Sequence, residues 1–100
     1  CWSFEMITAK FKKKNNQIYW YQVTGHAGFA NIGNDIVCAG VSALYITVTN
    51  TLLAAGRTFE RDDGYFVLDP TDKELASLKI LYDGIVSIAE QYPEHVIVEE

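Results

Sequence analysis

One hundred residues, 49% hydrophobic and 21% charged, make one globular domain spanning 1–100 and exclude a disordered chain. A formal net charge of -5 argues against a general nucleic-acid binder, which presents a basic face, and favours a basic partner. Two cysteines, Cys1 and Cys38, form no disulfide framework. With His26 and His95 they show no metal-ligand spacing, so neither a metal nor another cofactor is expected.

Residues Cys1–Glu5 hold no apolar leader segment and read as an extension or non-native remnant ahead of Met6, so a cytoplasmic location is expected. From Met6 to Lys12 the chain alternates, with Ile7, Ala9 and Phe11 on one face and Thr8, Lys10 and Lys12 on the other: a half-buried strand. Asn15-Asn16 suits a turn, and the aromatic and β-branched run Ile18–Thr24 is the partner strand. A loop follows that contains Gly25, Gly28 and Gly33. Asn34 or Asp35 then caps a helix that runs to about Ala55 and is stopped by Gly56. Thr58–Arg61 and Tyr65–Asp69 form a second hairpin around Asp63-Gly64. Thr71 and Glu74 make a capping box. The helix they start places Leu75, Leu78, Leu81, Ile85 and Ile88 at core spacing and ends at Pro93. His95–Val98 is a short last strand. The order is ββαββαβ, an α+β fold of two layers with two helices on a mostly antiparallel sheet.

The two helices differ in character. The second carries Asp72, Lys73, Lys79, Asp83 and Glu90 off its core face, whereas no residue from Ile36 to Gly56 is charged. That stretch is long enough to cross a bilayer, but Ser42, Thr47, Thr49, Asn50 and Thr51 interrupt it and no basic flank frames it. It reads instead as a helix covered on two sides, once by its own sheet and once by a second copy. A homodimer through helix 35–55 is therefore expected, and no membrane association.

The chemistry concentrates between His26 and Ser42. Cys38 falls in the first turn of the uncharged helix, where unpaired amides and the helix dipole favour a thiolate. His26 ends a strand just before the glycine loop, and a loop folded back on itself brings it to Cys38 as a nucleophile–base pair. The helix-end amides then serve as oxyanion donors. Asp35 is placed to cap the helix and hold an amide, since its charge beside the sulfur would oppose ionisation. Ser42, one turn below Cys38, is either a local hydrogen-bonding group or a small residue at a helix contact. Other readings of the same residues stand open at this point. A lone cysteine in a helix is commonly an inert buried thiol, and glycine loops at helix starts also bind phosphate. The phosphate-loop pattern with its lysine is absent, and Asp35 would repel a phosphate.

Gly25-His26-Ala27, followed by Gly33-Asn34-Asp35-Ile36-Val37-Cys38-Ala39, closely resembles the signature of the ribosomal-processing cysteine proteases, the Prp family. The likeness extends through the element order of the whole chain. It implies a cysteine endopeptidase whose catalytic pair corresponds to His26 and Cys38. The implied substrate is the N-terminal extension of a large-subunit ribosomal protein precursor, number twenty-seven, and the implied assembly is a homodimer. The resemblance also implies a glycine loop that orders over bound peptide, and a pocket for an aromatic residue before the cut. Phe29 and Tyr45 are candidates to line that pocket, although core packing is the commoner role for a residue placed like Tyr45. Gly40 stands where the family often has alanine, and Cys1–Glu5 has no counterpart in it.

The cluster Lys10, Lys12, Lys13 and Lys14 reads as a solvated hairpin end, with contact to ribosomal RNA as the minor alternative, and no direct nucleic-acid contact is expected from the overall charge. Two rival functions compete with the protease. One is a non-catalytic dimeric module of ribosome assembly with an inert Cys38. The other is a thiol-transfer protein, which would need a resolving cysteine near Cys38.

Overall fold

The computed structural model describes residues 7–25 and 36–100, without the side chains of residues 36 and 38. Its elements are β1 (Ile7–Lys14), β2 (Gln17–Thr24), α1 (Ile36–Ala55), β3 (Thr58–Arg61), β4 (Gly64–Val67), α2 (Asp72–Gln91) and β5 (Val96–Glu99). The expected α+β order is the observed one: two helices lie on one five-stranded sheet of order β3-β4-β2-β1-β5. Three neighbouring pairs are antiparallel, and the pair β1·β5 is parallel. No helix among the described residues is long and apolar enough to cross a membrane.

The first hairpin extends further than its alternation suggested. Lys13 and Lys14 still pair with Ile18 and Gln17. The turn is therefore Asn15-Asn16 alone, both in the left-handed region at φ 54° and 65°, as a two-residue turn requires. Lys12 faces Trp20 while Lys13 faces Ile18, so Tyr19 is the extra residue of a β-bulge. The bulge brings Tyr19 and Trp20 to the same side of the sheet.

In the second hairpin the turn is shifted by one residue from the sequence expectation. Asp62 and Asp63 take positive φ, at 54° and 62°, and Gly64 is already the first residue of β4. Gly64 is needed for close approach. A Cβ there would sit 2.4 Å from the Tyr21 carbonyl oxygen and 2.7 Å from the Trp20 ring. Asp, which tolerates the left-handed region, supplies the turn conformation instead.

The core lies between the helices and one face of the sheet. Ile7, Ala9 and Phe11 of β1, Tyr21 and Val23 of β2, Val41, Val48 and Leu52 of α1, and Leu78, Leu81 and Ile85 of α2 are all buried in it. The helices cross where each has a glycine. Gly84 meets Leu44, whose Cδ1 lies 2.7 Å from where a Cβ would be, and Gly40 meets Ile88 at 3.5 Å. The Gly40 contact is an ordinary van der Waals distance, so an alanine would fit here.

Both helices end as the sequence indicated. Gly56, at φ 87°, stops α1, with its amide donating to the Leu53 carbonyl at 3.1 Å. At the start of α2 the Thr71 amide donates to Glu74 Oε1 at 3.2 Å, and the Thr71 hydroxyl donates to Glu74 Oε2 at 2.6 Å. Those two bonds hold the Glu74 carboxyl below its ordinary range, helped by Arg57, whose Nε lies 3.8 Å away.

Candidate active site

The site is built from the ends of two elements. β2 delivers the chain to Gly25, whose φ of 92° turns it out of the strand plane in a conformation that disfavours any side chain. The next residue is His26. It lies outside the described residues, as do Gly28, Phe29, Gly33 and Asp35. Cys38 is the third residue of α1. Its backbone is held by neighbours buried in the core, Val37 at 8% and Val41 at 0% exposure. The first turn of α1 contains no acidic side chain, so none within the helix competes there with a negative sulfur.

α1 and β2 are locked together halfway along. The Tyr21 and Thr49 hydroxyls are hydrogen-bonded at 2.7 Å, buried, and the Tyr21 ring meets the Tyr45 ring edge-on at 6.0 Å. From that lock the strand runs four residues to Gly25, about 13 Å at strand rise. The helix runs seven residues back to Cys38, about 10 Å at helical rise. Both lengths lead away from the crossing toward the loop that joins them. Ser42 is half-buried, one turn below Cys38.

Tyr45 faces the interior. Its ring packs against Tyr21 and, at 6.1 Å, against Tyr65 of β4, and Tyr21 and Tyr65 stack at 5.7 Å. This three-tyrosine cluster with Thr49 was not read from the sequence. Its members come from three elements, and only the register Tyr21↔Tyr65 brings two of them side by side. Burial raises the Tyr21 hydroxyl well above its ordinary pKa. Burial also pushes Tyr45 up to about 12, with Tyr65 and Glu60 adding to the shift. Both phenols are therefore neutral near pH 7 and act as hydrogen-bonding and packing groups rather than as proton-transfer groups.

A small α+β protein with a cysteine in the first turn of a core-anchored helix is the class these features define. The family model for cysteine protease Prp matches residues 6–97. The ribosomal processing cysteine protease Prp of Bacillus subtilis is 35% identical over 94 residues, covering 81% of this chain and 81% of the relative. The Mycoplasma genitalium protein of the same name is 28% identical over 88 residues, covering 76% of this chain and 82% of the relative. A crystal structure from Streptococcus mutans, 32% identical, superposes with a TM-score of 0.71 over 94% of this chain and 92% of its own. The S. aureus ribosomal processing protease Prp, solved with a covalently linked product peptide, shares the fold at 23% identity. Its TM-score is 0.75, over 94% of this chain and 98% of its own. The chain belongs to the Prp family of cysteine proteases, enzymes of ribosomal protein processing.

Proposed function

We propose that this protease removes the N-terminal extension from the precursor of large-subunit ribosomal protein twenty-seven, with Cys38 as nucleophile and His26 as general acid and base. The observation that carries this reading is the position of Cys38 as third residue of α1, where helix-end amides and the helix dipole favour a thiolate. In acylation the Cys38 thiolate attacks the scissile carbonyl carbon, the C–N bond breaks, and the proton on His26 passes to the departing amine. In deacylation His26 takes a proton from water. The water oxygen displaces the sulfur from the thioester, leaving a carboxylic acid and the thiolate–imidazolium pair. The amides at the start of α1 stabilise the oxyanion in both steps.

The remaining residues serve this chemistry indirectly. Asp35 caps the helix and holds its first turn, and Ser42 supports the turn below the sulfur. Gly25, Gly28 and Gly33 give the loop the freedom to close over an extended peptide. Phe29, together with the exposed part of Tyr45, forms one wall of the pocket for an aromatic residue preceding the cut. The product peptide linked in that S. aureus structure, and the substrate peptide bound in a second S. aureus Prp structure, favour a peptide substrate for this chain as well. An acidic enzyme also suits a ribosomal protein, since such proteins are generally basic. Cutting such a precursor places the enzyme in the cytoplasm.

The outward face of α1 carries Ala39, Ala43, Ile46, Asn50 and Leu53, with Ile46 54% and Leu53 42% exposed. We assign this face to a second copy of the chain, packed about a two-fold axis. An uncharged helix surface can meet its own symmetry copy without opposing like charges, and α1 carries no charged residue.

The test is cleavage of the extended precursor by the parent, by Cys38→Ala and by His26→Ala. The parent yields the shortened protein at a rate at least a thousandfold (~10³ or more) above either variant, the scale on which loss of a nucleophile or its base is felt. Equal cleavage by all three removes the assignment of the pair. A parent that binds the precursor and never cuts it points instead to an assembly module.

A further inference from the structure

The helices cover one face of the sheet and leave the other open, and the open face is unusual in what it displays. By strand alternation it carries Lys10, Lys12 and Lys14 of β1, opposite in sense to buried Ala9 and Phe11. Beside them the bulge places Tyr19 and Trp20, followed by Phe66 of β4 and Phe59 and Arg61 of β3. The rings form a continuous row. Tyr19 meets Phe66 edge-on at 6.1 Å, and Phe66 stacks on Phe59 at 5.9 Å and 22°. Phe59 leaves 46% of its surface in water. Cations sit over the row: Lys12 Nζ lies 4.5 Å from the Trp20 ring, and the Arg61 guanidinium lies 4.9 Å from the Phe66 ring. The floor is rigid, since Trp20 is only 5% exposed, packs on Gly64, and donates its indole N–H to the Arg61 carbonyl at 2.7 Å.

Clefts run along this row. One of about 430 Å³ is lined by Lys14, Tyr19 and Phe66, and another of about 460 Å³ by Lys10, Lys12 and Trp20. A smaller one of about 190 Å³ lies between them, touching Lys12, Tyr19, Arg61 and Phe66.

We propose that this open face binds single-stranded RNA, with Lys10, Lys12 and Lys14 following the phosphates and the exposed aromatics, Phe59 foremost, stacking bases. Charge complementarity carries the assignment. Half of the eight basic residues of the chain are on this one face, whereas the acids that give the net charge of -5 lie mainly on the helices and turns. Four carboxylates border it, Asp62, Asp69, Glu99 and Glu100, of which Glu100 is held by Lys13 at 2.7 Å. Among the described residues, Lys10 is drawn to Glu99 at 3.9 Å, but Lys12, Lys14 and Arg61 enter no ion pair. Alternate residues on a strand are about 6.7 Å apart, so three lysines in a line offer successive contacts to an extended polyanion. A purely acidic polypeptide would use the lysines but leave the ring row unexplained, whereas every base has a π-face to stack. RNA rather than DNA is the strand that an enzyme of ribosomal protein processing meets. The expectation of no nucleic-acid contact rested on whole-chain charge, which hides this local segregation.

The experiment is fluorescence anisotropy of the full chain with a labelled single-stranded oligouridine, titrated across a range of salt concentrations. A saturable rise is expected, weakening with salt. In the Lys10→Ala/Lys12→Ala/Lys14→Ala variant the slope of log K against log salt falls by about 2, for three lost contacts in single-stranded binding. Phe59→Ala, at an exposed position that folding does not need, weakens binding about tenfold, and Phe59→Trp restores it. No rise at low salt, or an unchanged slope in the triple variant, overturns the proposal. So does polyglutamate displacing the RNA with Phe59→Ala without effect, which gives the face to acidic polypeptides. A Phe59→Ala variant that sediments more slowly than the parent gives it to a second copy. Because Cys38→Ala leaves this surface intact, RNA binding by that variant separates this proposal from the proteolytic one.

Discussion

α1 and α2 are each twenty residues long, lie antiparallel on the same face of the same sheet, and cross through glycines. Their ends and outer faces are nevertheless used in opposite ways. At the start of α2 the unpaired amides and the cap are engaged by the chain's own groups, through Thr71 and Glu74. At the start of α1 no acidic side chain stands in the first turn, and Cys38 does. The outer face of α2 is charged, with Lys79 and Asp83 paired at 2.8 Å, whereas that of α1 carries no charge. A helix whose polar needs are met locally is a structural support. One with a cysteine and no carboxylate in its first turn, and with an uncharged outer face, is where reaction and assembly are expected.

The strongest way to break this comparison is to place the same charge on both outer faces. Ile46 of α1 and Ile80 of α2 are similarly exposed, at 54% and 59%. Ile46→Asp is expected to convert the proposed dimer to monomer at micromolar concentration, because it would bury an unpaired carboxylate against its own symmetry mate. Ile80→Asp, on a face already solvated, leaves the sedimentation coefficient unchanged. If both variants sediment alike, α1 has no special outer face. A parent that is already a monomer ends the assignment of a second copy.

Much of this was legible in the sequence, and what was not has a common cause. Element order followed from alternation, helical spacing and punctuation, each a local property. Gly56 and the Thr71–Glu74 box were readable because caps are local too. Cys38 at the head of α1 was readable for the same reason, whereas His26 lies outside the described residues. The parallel placement of β5 beside β1 was not, since His95–Val98 says nothing about which strand it joins. Gly64 looked like a turn residue because Asp-Gly is a turn signal. Its actual constraint is the Trp20 ring and the Tyr21 carbonyl, more than forty residues away in sequence. The bulge at Tyr19, and with it the aromatic row on the open face, depends on register, as does the tyrosine cluster under α1. Whole-chain charge is silent on such a face for a related reason: it averages over surfaces that the fold then separates.

A finer test concerns the two helix starts. Glu74 is almost covered, at 6% exposure, and its carboxyl is held below the ordinary range by the Thr71 hydroxyl and amide. A carboxyl with a depressed folded pKa contributes stability that is present above its unfolded pKa and lost as pH falls through the folded one. Glu74→Gln can still accept the amide bond but has no charge to lose. Its Tm is therefore expected to lie below that of the parent at neutral pH and to converge on it in acid. A deficit that stays constant with pH would mean that the cap acts through shape alone.

The smallest effect is expected from the Lys79–Asp83 pair, and it sharpens the comparison from the other side. The two side chains are 75% and 54% exposed, so water and salt screen their attraction even at 2.8 Å. With lysine N-terminal to aspartate the pair also has the less favourable orientation with respect to the helix dipole. Alanine is a better helix former than aspartate, which offsets what is lost. Asp83→Ala should therefore change unfolding free energy by no more than about 0.5 kcal/mol in a denaturant titration. A larger loss would make the charges of α2 structural. Near-zero change means that this face only keeps the helix in water, the property that α1 lacks, so any well-solvated residue would serve there as well as the native one.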